Sequence, residues 1–228
     1  MRTNRFLFMA IILCIVTIPT NAQRNKEDGV AVVFRGGIDL TLMSGFKYND
    51  YSTKLHPEVS FMGGVSVNWN LAEKWRMFTG IDYISKAVSL EMPKTEVSRN
   101  IPYYKPKYLQ LPLHLGYQIK AYEIANVYFH LGPYIAYGVG GEITWEERQG
   151  KKRTNFFTEN KFDKLDYGLG AGVYIDYKSL AINLGYDHGL KNITASDFKF
   201  PDKPDLNADG ISIKNRCIYF TIGYKGVF

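Results

Sequence analysis

Residues 109–119 alternate without a break: Leu109, Leu111, Leu113, Leu115, Tyr117 and Ile119 hold one parity, and Gln110, Pro112, His114, Gly116 and Gln118 the other. A period of two separates these sets onto opposite faces of an extended strand, whereas a helix would mix them. The pattern recurs. Val127, Phe129, Leu131, Ile135 and Tyr137 oppose Tyr128, His130, Gly132, Tyr134 and Ala136; Leu169, Ala171, Val173, Ile175 and Tyr177 oppose Gly168, Gly170, Gly172, Tyr174 and Asp176. Leu180, Ile182, Leu184 and Tyr186 alternate with Ala181, Asn183, Gly185 and Asp187, and Ile218, Phe220, Ile222 and Tyr224 with Cys217, Tyr219, Thr221, Gly223 and Lys225. Weaker alternation over 32–42, 59–69 and 77–87 brings the strands to eight. The 17 Tyr, 14 Phe and 21 Gly of this 228-residue chain suit strands and tight turns and exclude an all-helical protein.

Residues 1–22 are set aside first. Arg2 and Arg5 precede an apolar stretch, 6–18, and Thr20-Asn21-Ala22 ends on a small residue, so a cleaved secretory signal is expected, leaving 23–228 as a single domain. Leu13 stands before Cys14 where a lipoprotein signal needs a small residue, so lipidation is not expected. Cys217 is then the only cysteine of the mature chain, which rules out an internal disulfide. The net charge of +6 falls to +4 when Arg2 and Arg5 go, and it is spread over loops and strand ends, so no nucleic-acid partner is expected. No run of eighteen apolar residues follows the signal.

Alternation also fits a soluble sandwich or lipocalin-like barrel, but three features favour a membrane wall. Glycine and polar residues share one face, which suits a cramped interior, and large aliphatics crowd the other. Connections alternate in length: 70–74, 120–125 and 178–179 are short, and 44–57, 90–105, 145–161 and 194–212 are long, as in outer-membrane barrels. Trp69, Trp75, Tyr117, Tyr122, Tyr177, Tyr224 and Phe228 gather where strands meet the short turns, the place of an interfacial girdle. A strand of about ten residues at ~3.3 Å each, tilted ~45°, spans ~24 Å, close to the apolar thickness of such a membrane. The expected fold is therefore all-β, an eight-stranded antiparallel up-and-down transmembrane β-barrel with both termini periplasmic.

The succession Lys107-Tyr108-Leu109-Gln110-Leu111-Pro112, Gly132-Pro133-Tyr134, Tyr167-Gly168-Leu169-Gly170-Ala171-Gly172, Leu184-Gly185-Tyr186-Asp187-His188-Gly189-Leu190 and Lys214-Asn215-Arg216 before a strand ending in Phe228 resembles the PorT-like outer-membrane β-barrel family of Bacteroidota. The resemblance covers most of the mature chain. It implies a single outer-membrane barrel and transfers no catalytic residue; the named member assists protein secretion, which makes an accessory role in secretion or assembly one alternative. Pro112 and Pro133 lie inside strands where a ladder donor is missing, and local bulges are expected there.

With aliphatics toward lipid, the inward set contains Arg35, Asp39, Asp82, His114, His130, Asp176, Asp187 and Lys225. Charges enclosed in so narrow a barrel need partners, so the expectation is an internal network of ion pairs and hydrogen bonds; a proton or small-solute path is the alternative. His114 and His130 lack a third ligand in recognisable spacing, and no metal or cofactor is expected. H-E-x-x-H, G-x-S-x-G and phosphate-loop motifs are missing, and the glycines of 168–172 sit inside a strand with no helix after them, so no enzyme is expected. A dispersed Ser–His arrangement at the lipid boundary remains the enzymatic alternative. Asp205, Asn207 and Asp209 mimic the opening of a calcium loop, but Arg216 stands where the bidentate Glu belongs, and an Asx-turn loop is expected instead. The long loops are the expected site of function: Trp145, Arg148, Lys151, Lys152 and Arg153 are candidate contacts for lipopolysaccharide, for outer-membrane lipid or for a cell-envelope protein.

Overall fold

The computed structural model describes residues 29–44, 47–48, 51–52, 54–91, 103–122, 125–147, 150–157, 162–194, 199–200, 203–207 and 212–227. The expected signal segment, 1–22, lies outside the described residues. Eight long strands form the wall: β1 (Val30–Ser44), β2 (Lys54–Ala72), β3 (Trp75–Ser85), β4 (Tyr103–Tyr122), β5 (Ala125–Glu147), β6 (Leu165–Tyr177), β7 (Leu180–Gly189) and β8 (Lys214–Val227). Each pairs antiparallel with its sequence neighbour, and β8 pairs with β1 from Ala31↔Val227 to Ser44↔Lys214, so the sheet closes and no strand of the wall keeps a free edge.

The wall is turned as the alternation requires. Leu109, Leu111, Leu113 and Leu115 are exposed on the outside, while Gln110, Pro112 and His114 between them are buried. Leu184 and Ile222 also face outward. Near the short turns Trp75, Tyr117, Tyr177 and Tyr224 are exposed, Trp69 is half-buried, and Trp75 meets Tyr117 edge-on with ring centroids 5.0 Å apart. Tyr122 lies in β4, but its side chain, like all of Phe228, is outside the described residues. A second belt, Tyr83, Tyr137, Tyr167 and Tyr186, stands outward nearer the long loops. Tyr167 and Tyr177 lie ten residues apart on β6, which at ~3.3 Å per residue and ~45° tilt separates the belts by about 23 Å.

Two expectations are corrected. The strands are not all about ten residues long: β4 has 20 and β5 has 23. They continue past the upper tyrosine belt, where outward residues meet water and hydropathy no longer alternates. The expected loop at 145–161 is therefore partly strand, because β5 runs to Glu147 and a strand, Gly150–Asn155, folds back against it. Likewise β3 breaks at Lys86 and Ala87, and the chain resumes at Val88–Glu91 alongside β2. The second correction concerns proline. Ladder pairs drop out beside Pro112 and Pro133, yet the register on either side is unchanged; the bulges of the β4–β5 ladder fall instead at Val139 of β5, opposite Lys107 and Tyr108, and at Ile119 of β4, between Gln118 and Lys120. Each proline costs a ladder bond, and the long flanking strands hold the register without an inserted residue.

If Leu113 lies near mid-membrane, halfway between Leu109 and Tyr117, Leu113→Arg will lower unfolding free energy in phospholipid vesicles by about 2–4 kcal/mol, and Leu109→Arg by no more than about 1 kcal/mol. Denaturant titration of the two variants measures the difference.

Candidate functional site: the barrel lumen

Inward glycines decide what the lumen can hold. A Cβ on Gly116 would run into the Phe78 ring, one on Gly185 into Tyr219, and one on Gly172 would come within 2.7 Å of His130 Nε2. Each bare backbone position therefore accommodates a ring from an adjoining strand, and a sheet of eight strands becomes a packed interior.

The filling is layered. At the short-turn end Val33, Phe78, Tyr128, Tyr174 and Ala181 form an apolar cluster. Arg76, beside it, donates to Asp176 (2.7 Å) and to Asn70 (2.7 Å) and lies 4.4 Å from the centre of the Tyr128 ring; Lys225 also donates to Asp176. In the middle, Arg35 holds Asp82 through two bonds, Nε to Oδ1 at 2.8 Å and Nη2 to Oδ2 at 2.5 Å. His114 Nδ1 meets His130 Nδ1 at 2.9 Å, and His130 Nε2 meets Asn183 Oδ1 at 2.9 Å. With Asn183 Oδ1 as acceptor, a neutral His130 carries its proton on Nε2 and accepts at Nδ1; His114 then donates from Nδ1 and keeps a bare Nε2. That nitrogen and Asp187 Oδ1 have no hydrogen-bond partner, and both border the space over Gly170. Gln110 donates to the other oxygen of Asp187 at 2.7 Å. A cavity of about 20 Å³ remains among Arg35, Asp82, Gln110, His114, His130 and Asn183, room for about one water molecule.

Nearer the loops further buried side chains line the lumen. Lys86 is fully buried; its Nζ lies 3.2 Å from Asp166 Oδ2, and 5.1 and 5.2 Å from the ring centres of Tyr108 and Tyr134. Asn215 donates to the same Asp166 oxygen at 2.9 Å. Above these groups Tyr104, Ile143, Phe156, Phe157, Phe162, Ile193 and Ile213 form an apolar cap, with Phe156 stacked on Phe162 at 4.2 Å.

The structure thus places Arg35 with Asp82, Asp176 with Lys225, and His114 with His130. Asp39 and Asp187 face inward but form no ion pair among the described residues: Asp39 accepts from Thr41 (3.0 Å) and Cys217 (3.7 Å), Asp187 from Gln110. Period two alone would have found Arg76 and Asp166, which share faces with Phe78 and Gly168. It would also have found Lys86, which keeps the inward parity of Asp82 and Ile84. Of the loop candidates, Arg153 is exposed and lies 3.7 Å from Glu142; Trp145, Lys151 and Lys152 belong to paired strands, with side chains outside the described residues, as is all of Arg148. Asp205 and Asn207 fall in a short strand with their side chains undescribed, and Asp209 is outside the described residues. No cluster of three or more metal-ligating side chains occurs among the described residues.

A closed wall with an apolar exterior, two aromatic belts and a polar, filled interior defines an integral outer-membrane barrel. The chain belongs to the outer membrane protein beta-barrel domain family, whose pattern matches residues 21–195, and β8 beyond the match closes the ring. No curated protein sequence matches it. Among solved structures it is similar to the attachment invasion locus protein Ail of Yersinia pestis (11% identity, 87% of this chain and 99% of that one, TM-score 0.41). It is also similar to OprG of Pseudomonas aeruginosa (14%, 87% and 96%, TM-score 0.42) and to the outer membrane protease OmpT of Escherichia coli (8%, 92% and 100%, TM-score 0.43).

Truncating one member of a buried pair strands the other. Asp82→Leu leaves the Arg35 guanidinium unpaired and should cost about 3–5 kcal/mol, while Arg35→Met/Asp82→Leu together should recover most of it. Equilibrium unfolding of the single and double variants measures both.

Proposed function

We propose that this protein is a non-conducting, non-catalytic outer-membrane barrel whose role is structural or binding and is exercised through its loop end. The observation that carries this reading is the filled lumen. Ion pairs, the His114–His130 pair and the aromatic cap occupy successive levels of the interior, and a solute path would have to displace them in turn. The histidines support a non-catalytic role: His114 and His130 are engaged with each other and with Asn183, and His188 contacts the Tyr186 hydroxyl at 3.2 Å. Ser89, at the mouth, donates to Glu58 at 2.8 Å. In this reading the termini and short turns are periplasmic, residues 1–22 are a cleaved signal, and the loops meet lipopolysaccharide or a cell-envelope partner. The motif succession from Lys107-Tyr108 to Lys214-Asn215-Arg216 favours a PorT-like barrel of the Bacteroidota, and with it an accessory role in secretion as the second reading.

Reconstituted into planar bilayers, the purified protein should give no steady ionic current above that of protein-free bilayers. Reproducible single-channel steps would overturn the closed-lumen reading and favour transport.

A further inference from the structure

We propose that Asp187, His114, His130 and Asn183 form a proton-binding site in the middle of the lumen: one proton from solvent, held on Asp187, sets the direction of the hydrogen-bonded chain, and its release reverses that direction. Below the mouth, the described residues enclose four cations, Arg35, Arg76, Lys86 and Lys225, and five carboxylates, Asp39, Asp82, Asp166, Asp176 and Asp187. With the histidines neutral, one negative charge is left over, and an enclosed charge without a partner is relieved by taking up a proton. The cations are all bound to Asp82, Asp166 and Asp176, so that proton belongs to Asp39 or to Asp187. Asp39 accepts from Thr41 and Cys217 and stands across the β1–β2 ladder from Ser60, a set of donors that suits a carboxylate. Asp187 differs. Gln110 donates to its Oδ2, but Oδ1 has no partner, and neither has His114 Nε2; the two lie 2.4 and 2.8 Å from the point that a Cβ on Gly170 would occupy. With Asn183 Oδ1 as the end of the chain, His114 Nε2 is an acceptor, and two acceptors turned on one space repel. A proton on Asp187 Oδ1 makes that oxygen a donor toward His114 Nε2 and satisfies both atoms.

Release turns every link over without moving a ring. The Asp187 proton passes to His114 Nε2, the proton of His114 Nδ1 crosses the 2.9 Å to His130 Nδ1, and that of His130 Nε2 leaves for water, so three protons on the chain become two. His130 and Asn183 border the water-sized cavity, which gives that last proton an acceptor. The Asn183 amide then rotates to donate from Nδ2 to the bare His130 Nε2, and Asp187, now ionised, accepts from His114. Both histidines are neutral before and after. The other ionisable groups facing the chain are already committed. Arg35 of β1 is bound to Asp82 of β3, and Lys86, which follows β3, to Asp166 of β6. Cys217 of β8 donates to Asp39, Tyr134 of β5 and Tyr219 of β8 keep their phenolic protons below about pH 10, and β2 presents Met62. The site makes no use of the loop end and requires no conduction, so it stands apart from the structural or binding role.

Solid-state NMR of the full chain in lipid vesicles, with histidine nitrogens and aspartate carboxyl carbons labelled, reads the chain from about pH 5.5, where exposed carboxylates are ionised, to about pH 9. At the acidic end Asp187 should be a carboxylic acid, with His114 protonated on Nδ1 and His130 on Nε2. At the alkaline end Asp187 should be ionised and both tautomers exchanged, and the three signals should share one midpoint. Asp187→Asn, whose amide donates in place of the acid, should hold the first arrangement at every pH, whereas Asp39→Asn should leave the transition in place. An imidazolium at either histidine, tautomers that stay fixed while Asp187 ionises, an Asp187 that does not titrate in this range, or an acid signal lost in Asp39→Asn would overturn the assignment. Should Asp187→Asn fail to fold, the titration of the unaltered protein decides. Planar-bilayer current is unaffected by any of these outcomes, so the closed lumen and the proton site can fail independently.

Discussion

Hydrocarbon offers no partner to a backbone N–H or C=O, so a strand that crosses it must be paired on both sides along its whole buried length. The β1–β8 ladder, running from Ala31↔Val227 to Ser44↔Lys214, meets that demand by removing the last two edges. Most other features follow from closure. A closed wall of eight strands is narrow, and a narrow lumen forces small residues opposite large ones, which is why inward glycines lie under Phe78, His130 and Tyr219. Because period two leaves no third face, the polar groups excluded from lipid must all crowd into that lumen and satisfy one another.

The interior is therefore dense and stratified. Apolar rings and the Arg76–Asp176–Lys225 group occupy the short-turn end, the Arg35–Asp82 and His114–His130 pairs the middle, and Lys86–Asp166 under an aromatic cluster the loop end. Interactions between β1 and β3, β4 and β7, and β5 and β7 tie non-sequential parts of the ring together, a form of bracing that backbone ladders alone cannot supply.

How much of this the amino-acid sequence discloses depends on where the solvent changes. Between the two aromatic belts, lipid outside and a packed lumen inside give opposite rewards to successive residues, so the face of Leu111, His114, Asp187 or Ile222 can be read directly from parity. Beyond the belts both faces meet polar surroundings, the contrast fades, and the extra length of β4 and β5 and the fold-back of Gly150–Asn155 leave little trace. Which inward charges meet is also hidden, because partners such as Arg35 and Asp82 lie 47 residues apart and are matched by the stagger of the closed sheet. Lys86 keeps the inward parity of Asp82 and Ile84, and what stays hidden is its partner Asp166, 80 residues away. The prolines mislead in the opposite sense, since a lost donor at Pro112 or Pro133 is tolerated by long strands without a bulge.

The inside-out wall is tested most directly by spin labels placed singly at each position from Leu109 to Tyr117 in a Cys217→Ser background, in lipid vesicles, with accessibility to oxygen and to a polar nickel chelate measured at each. Maximal oxygen accessibility at Leu109, Leu111, Leu113, Leu115 and Tyr117, with low values at Gln110, Pro112, His114 and Gly116, is the expected outcome. Oxygen maxima at the even positions, or no period-two variation at all, would contradict it.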